Sequence, residues 1–174
     1  MGGQTVGMLL GARLTDPTDE TARDVNLIEP RIKAGVLLAA PGAGGSDLSA
    51  AVAQNYPFMN PNFATMTTRT LVVYGDNDHA HLTVRGPDWF AGPYHLSPGA
   101  DCLLTLYGVG HGLGGVAGYD ARETDKEDPD CLETVRRMTS AYLRSVLYED
   151  DPAWAQACYA LNGPASSLGH VDCK

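Results

Sequence analysis

The sequence predicts an α/β fold in which a mainly parallel sheet of about three strands is flanked by helices. Continuous apolar runs of strand length occur in "KAGVLLAAPG", at 70–74 and at 102–107. Such runs are typical of strands that are buried on both faces of a parallel sheet. Amphipathic patterns precede the first run and follow the last, so helices are expected to cover the sheet.

The first element is a helix over 2–14, whose apolar positions at Val6, Leu9 and Leu10 share one face. The first strand follows within 33–42 and is stopped by Pro41 and Gly42. Residues 43–69 are rich in Asn, Pro, Gly and Met, and they are expected to form a lid or substrate loop with one short helix over 47–54.

The second and third strands, over 70–74 and 102–107, each end in a turn that carries polar side chains. The segment "DPDCLETVRRMTSAYLRSVLY" then has the clearest helical periodicity in the chain. A short helix is expected over 154–161. The whole chain of 174 residues has the size of a single domain.

The net charge and the hydropathy of the chain indicate which classes of binding partner to expect. A net charge of -9 repels phosphate backbones and anionic lipid surfaces, which argues against nucleic-acid and membrane-surface binding and favours small or neutral ligands. No apolar run approaches the roughly 20 residues needed to span a bilayer, and no signal-peptide pattern opens the chain, so a soluble, cytoplasmic protein is expected.

The four cysteines have no metal-binding C-x-x-C spacing, and four cysteines allow three pairings that sequence alone does not distinguish. They are expected to be mostly reduced thiols. The one link singled out for checking joins Cys158 to Cys173, which leaves Cys102 and Cys131 as thiols.

The strand ends carry the candidate chemistry. Asp78 follows the second strand, and His111 follows the third between two glycines. Taken alone, Asp78 is more often an Asx-turn residue and His111 is more often a surface histidine, and Asp76 competes for any role in the first turn. Together they are what a general base and its orienting carboxylate require, because the ends of neighbouring parallel strands lie side by side.

These motifs resemble the C-terminal half of an α/β-hydrolase of the chlorophyllase-like and dienelactone-hydrolase-like esterases. "MGGQT" resembles the part of the nucleophile elbow that follows the serine in Gly-His-Ser-Met-Gly-Gly, and "LVVYGDND" and "YGVGHGLGG" resemble the segments that supply the acid and the histidine. The resemblance covers nearly the whole chain. The nucleophile serine itself falls one residue before Met1 and is missing from the chain.

The resemblance implies carboxylic ester hydrolysis through an acyl-enzyme, without a cofactor or a metal, on a small hydrophobic ester. It implies that Asp78 and His111 are catalytic and that the backbone N–H of Met1 is an oxyanion donor. Aromatic residues in the segments that would border the site form either a substrate wall or core: Tyr56, Phe58, Trp89 and Phe90, with Met59 and Tyr94 nearby.

Three rival sites remain. Ser46 has the best claim among the chain's own serines to be a nucleophile, although it stands at no strand-to-helix elbow. Gly110, Gly112 and Gly115 match a dinucleotide fingerprint, but no helix is predicted to open there. The "DHAH" segment, with Asp78, His79 and His81, could supply metal ligands.

The alternative function is non-enzymatic. The chain would then be an inactive, truncated form that associates with itself or with a separate N-terminal half. The resemblance places the first strand beside the strand that leads into the elbow, so its absence would leave an apolar sheet edge that favours homo-oligomers.

Overall fold

The computed structural model describes residues 2–15, 24–116 and 128–174. Their strands form one sheet in the order β1-β2-β3-β4. The strands are β1 (Ala34–Leu38), β2 (Arg69–Gly75), β3 (Ala100–Leu106) and β4 (Gly169–Cys173), and the helices are α1 (Gly2–Leu9), α2 (Ala50–Asn55), α3 (Gly92–Leu96), α4 (Pro129–Leu147) and α5 (Ala153–Leu161).

The α/β class with a mainly parallel sheet is confirmed, but the expected number of about three strands is wrong. β1, β2 and β3 pair in parallel, and the fourth strand, β4, pairs antiparallel with β3. Its sequence, "GHVDC", has only one large apolar residue, Val171, so it lacks the continuous apolar run that predicted the other strands.

Each face of the sheet buries its own core. On one face, Leu37, Val72 and Leu103 pack with residues of α3 and of the segment after α1. On the opposite face, Leu71 and Leu104 pack against α4. The parallel strands are therefore covered on both sides, which explains why their central residues form continuous apolar runs rather than alternating with polar residues.

The first helix is shorter than predicted, because it ends at Leu9 and not at Leu14. Gly11 has a φ of +112°. The N–H of Ala12 donates to the Gly7 carbonyl, and the N–H of Gly11 donates to the Met8 carbonyl. This is the Schellman arrangement that closes a helix and that favours glycine at its turning point. Leu14 lies beyond it and pairs with Val25 in an isolated bridge.

Hydrogen bonds connect the predicted lid segment, 43–69, to other parts of the fold near both of its ends. At one end the Trp89 indole N–H donates to the Ala43 carbonyl, and Leu48 pairs with Thr83. At the other end Asn62 exchanges two backbone hydrogen bonds with Arg13. Between these ties lie α2 and the exposed Tyr56.

Cysteine pairing differs from the expectation. A disulfide joins Cys102 to Cys173, which face each other directly across β3 and β4, while Cys131 and Cys158 are free. The expectation of reduced thiols is therefore wrong for Cys102 and Cys173, and the Cys158–Cys173 link that was singled out for checking is not formed. The observed pairing of Cys102 with Cys173 could not be predicted from the sequence, because β4 itself was not predicted.

The two free thiols are expected to react slowly with a thiol reagent in the folded protein at pH 8. Burial, with a smaller contribution from Asp128, raises the pKa of Cys131 to about 11, and burial also raises the pKa of Cys158, so few thiolates are present. A colorimetric thiol assay should count two thiols after unfolding without reductant and four after reduction. Four thiols without reduction would contradict the pairing.

Candidate active site

Two turns at the carboxyl ends of β2 and β3 form the candidate site, and hydrogen bonds join them. The N–H of Asp76 donates to the Leu106 carbonyl at 2.9 Å, and the N–H of Asn77 donates to the Val109 carbonyl at 3.1 Å. The Asp76 carboxylate accepts from the Gly108 N–H at 2.6 Å. Asp76 therefore holds the two turns together and is not the partner of the histidine.

The buried carboxylate of Asp78 is that partner. Its Oδ2 lies 2.7 Å from His111 Nδ1, and its Oδ1 accepts from the Ala80 N–H at 3.0 Å. The Asp78 side chain is fully excluded from solvent, whereas that of His111 is 26% exposed. An ionised carboxylate can only accept, so Nδ1 of the imidazole carries the proton and the tautomer with a basic Nε2 is selected.

The imidazole of His111 also has an aromatic support. The ring of Phe90, which is completely buried, lies 5.3 Å from the imidazole centroid to centroid. The buried carboxylate of Asp78 and the buried ring of Phe90 thus both contact the imidazole and hold its position. This is the kind of fixed surrounding that orients a base before it reacts.

An apolar cleft of about 350 Å³ opens beside His111. Its walls come from the N-terminal part of α1, the carboxyl end of β1 and the histidine loop: Gly2, Gly3, Val6, Val36, Leu38, Ala39, Gly112, Leu113 and Val116. The N-terminal glycines of α1 and the histidine therefore border the same space. From the sequence, this proximity was expected only through the resemblance.

The cleft also contains backbone strain. Ala39 has a φ of +42° and Leu113 a φ of +48°, a region that residues with a Cβ rarely adopt. Both residues line the cleft. Strained backbone of this kind concentrates at functional sites, where the surrounding structure holds it in place.

The close approach of the two turns depends on Gly75. A Cβ at this position would overlap the carbonyl group of Val109, two residues before His111. The carboxyl end of β2 can therefore lie directly against the histidine loop only because the side chain is absent. Gly75 was not among the predicted site residues, although its position at the end of a buried strand was the available signal in the sequence.

The aromatic residues weighed as a substrate wall or as core lie in the core and in the predicted lid segment. Trp89 is 3% exposed and packs edge-on against Phe90 in the core below the predicted lid. Tyr56 and Phe58 contact each other edge-on, and the Phe58 carbonyl accepts from the Gln4 side chain. The residues that line the cleft beside His111 are aliphatic. A direct role of the four aromatic residues in substrate binding stays a prediction.

The other predicted site residues are placed as follows. Met1 lies outside the described residues, so its role as an oxyanion donor stays a prediction. Ser46 is exposed in the single 3₁₀ turn Gly45–Asp47. The glycine fingerprint spans residues 110–115, and residues 111–116 form successive turns rather than the start of a helix.

In the part of the chain that the structure describes, no three His, Cys, Asp or Glu side chains come together as a metal site. Asp78 of the "DHAH" segment is bonded to His111, while His79 and His81 are exposed. Over the same residues, no helix is long and apolar enough to cross a membrane.

Comparisons of the chain with family models, with curated proteins and with solved structures found no match.

Proposed function

We propose that Asp78 and His111 are the acid and the general base of a serine hydrolase that cleaves carboxylic esters. The observation that carries the proposal is the buried Asp78 carboxylate 2.7 Å from His111 Nδ1, in a pair that borders an apolar cleft. The residue types, their order along the chain and their place at the ends of neighbouring parallel strands support a base held by a carboxylate.

The nucleophile in this proposal is a serine that directly precedes Met1 in a longer polypeptide. The resemblance of "MGGQT" to the second half of a nucleophile elbow motivates this position. The structure adds that the first turn of α1, with Gly2 and Gly3, borders the same cleft as His111. A residue at the N-terminal end of α1 would then stand close to the histidine.

Each residue has a defined part in the reaction. The serine Oγ attacks the ester carbonyl carbon while His111 Nε2 takes the serine proton, and Asp78 stabilises the imidazolium that forms. His111 then gives that proton to the departing alcohol. A water molecule, deprotonated by the same Nε2, attacks the acyl-enzyme, and the imidazolium returns that proton to the serine Oγ as the acyl–oxygen bond breaks and the acid leaves. The N–H of Met1 would donate to the oxyanion.

The proposal predicts that the 174-residue chain is not labelled by a serine-directed fluorophosphonate, because the nucleophile is absent. A version extended at Met1 by a short apolar strand and Gly-His-Ser is expected to be labelled and to hydrolyse p-nitrophenyl butyrate. Gel fluorescence and absorbance measure the two results. Replacing the added serine with alanine should remove both.

A matched pair of variants tests the acid within the extended version. Asp78→Asn should lower kcat by about 10⁴-fold, because the amide no longer favours the reactive tautomer. Asp76→Asn in the same turn should retain most activity, since its side-chain oxygen still accepts from Gly108. Labelling of the unextended chain, or equal activity of the two variants, would overturn the proposed function.

A further inference from the structure

A second histidine–carboxylate pair lies on β4, which pairs with β3 alone in the part of the chain that the structure describes. Val171 packs into the core on the α4 face, and side chains alternate along a strand, so His170 and Asp172 both point to the opposite face. Tyr107 is the first residue after β3, and its N–H donates to the Leu168 carbonyl at 3.1 Å. The phenol of Tyr107 therefore meets the two β4 side chains at the edge of the sheet.

Hydrogen bonds connect these three side chains in a line. His170 Nε2 lies 3.0 Å from Asp172 Oδ2, and His170 Nδ1 lies 2.8 Å from the Tyr107 hydroxyl. An ionised carboxylate can only accept, so Nε2 carries the ring proton and Nδ1 keeps its lone pair. The Tyr107 O–H therefore donates to Nδ1. A metal ion does not fit this geometry, because the two ring nitrogens point in opposite directions and one ion cannot replace both hydrogen bonds.

We propose that Tyr107 is a nucleophile that accepts an acyl group, with His170 as its general base and Asp172 as the residue that positions the base. A nucleophile within hydrogen-bond reach of a base, which is itself oriented by a third group, is the arrangement that activates a hydroxyl. A net charge of -9 and the adjacent Asp172 carboxylate disfavour anionic donors, so the donor is an uncharged acyl compound. It needs a good leaving group, because the tetrahedral intermediate otherwise expels the phenolate again.

The step transfers one acyl group to the tyrosine. Tyr107 Oη attacks the acyl carbonyl carbon while Nδ1 of His170 takes the phenol proton, and Asp172 stabilises the imidazolium. The bond between the acyl carbon and the leaving group then breaks, the leaving group takes the electron pair, and the imidazolium gives it the proton. The products are an acyl ester of Tyr107 and the protonated leaving group. Because the acyl group stays on the phenol, the step adds no turnover to the proposed serine reaction.

Two more exposed tyrosines provide an internal comparison. Tyr107 is 43% exposed, whereas Tyr148 is 65% and Tyr159 is 80% exposed. Within residues 2–15, 24–116 and 128–174, Tyr107 is the tyrosine whose hydroxyl bonds to a histidine. If exposure alone set reactivity, Tyr159 would react first. If the bond to His170 only held the hydroxyl in place, Tyr107 would react last, so base activation is the reading that makes Tyr107 the fastest.

Acetylation of the 174-residue chain by N-acetylimidazole, an uncharged acyl donor, tests the proposal. Peptide mapping by mass spectrometry measures the rate of acetylation at each tyrosine. The rate at Tyr107 should be at least about tenfold higher than the rate at Tyr148 or Tyr159, which is a modest part of what general-base catalysis contributes. An equal or lower rate at Tyr107 would overturn the proposal.

Variants of β4 separate base catalysis from a structural role. His170→Gln should lower the Tyr107 rate to that of the two comparison tyrosines, because a carboxamide can accept the hydrogen bond but cannot take the proton. Asp172→Asn should lower the rate in part, and Asp172→Glu, which keeps a carboxylate, should retain more of it, with melting temperatures close to that of the parent chain.

An unchanged Tyr107 rate in His170→Gln, or equal rates in the two Asp172 variants, would contradict the proposal. The three side chains are not among the residues that line the cleft beside His111, and the step uses no serine. The acyl transfer to Tyr107 and the proposed hydrolase therefore stand or fail independently.

Discussion

Replacing Gly75 with alanine is expected to lower the free energy of unfolding by at least about 2 kcal/mol, the range seen when a close-packed site is overfilled. The added Cβ would overlap the carbonyl group of Val109, which is backbone and has little freedom to move. That carbonyl accepts from the Asn77 N–H, so relieving the overlap also breaks one of the hydrogen bonds between the two turns of the candidate site.

Chemical denaturation followed by circular dichroism measures the effect. Thermal melting should show a decrease of roughly 4–8 °C for a chain of this size. Gly2→Ala is the matched control, because a Cβ at Gly2 has no atom within 4 Å among the described residues. A Gly75→Ala variant as stable as Gly2→Ala would show that the close approach of the two turns is not tight.

Reducing the Cys102–Cys173 disulfide should destabilise the protein by about 4 kcal/mol, because the bond closes a loop of 71 residues and restricts the unfolded chain. The bond also attaches β4, whose other ties include the pair of hydrogen bonds between Val171 and the Asn162 side chain. We expect the melting temperature to fall on addition of dithiothreitol and in the Cys173→Ser variant.

Cys158→Ser is the matched control for this effect, since that thiol is free and only partly buried. It should leave the response to reductant unchanged. A melting temperature insensitive to reductant would contradict the pairing. The cytoplasmic location expected from the sequence stays a prediction.

The sequence was sufficient for the parallel part of the fold because burial on both faces leaves an unbroken apolar run. That signal located β1, β2 and β3 to within a few residues. The periodicity of α4 located the long helix in the same way. β4 is a short antiparallel edge strand that depends on β3 for its pairing, so its own five residues carry no comparable signal.

The pairing of Asp78 with His111 was also predictable, because parallel strand ends must lie side by side. The choice of Asp78 over Asp76 was not, since it depends on which carboxylate the turn directs inward. The residues that line the cleft could not be predicted from the sequence either. For the aromatic residues in long loops the sequence left a substrate wall and a core position equally open; Trp89 and Phe90 are buried in the core, and aliphatic residues and glycines line the cleft beside His111.

The bond between Asp78 and His111 has a consequence for the order in which the chain folds. Its partners are 33 residues apart, and the two turns that carry them are positioned by the pairing of β2 with β3. Parallel pairing requires closing long loops before any contact repays the lost entropy. The pair of residues assembles only once this slow, non-local step is complete, so an intact imidazole–carboxylate contact marks a molecule in which β2 and β3 have already paired.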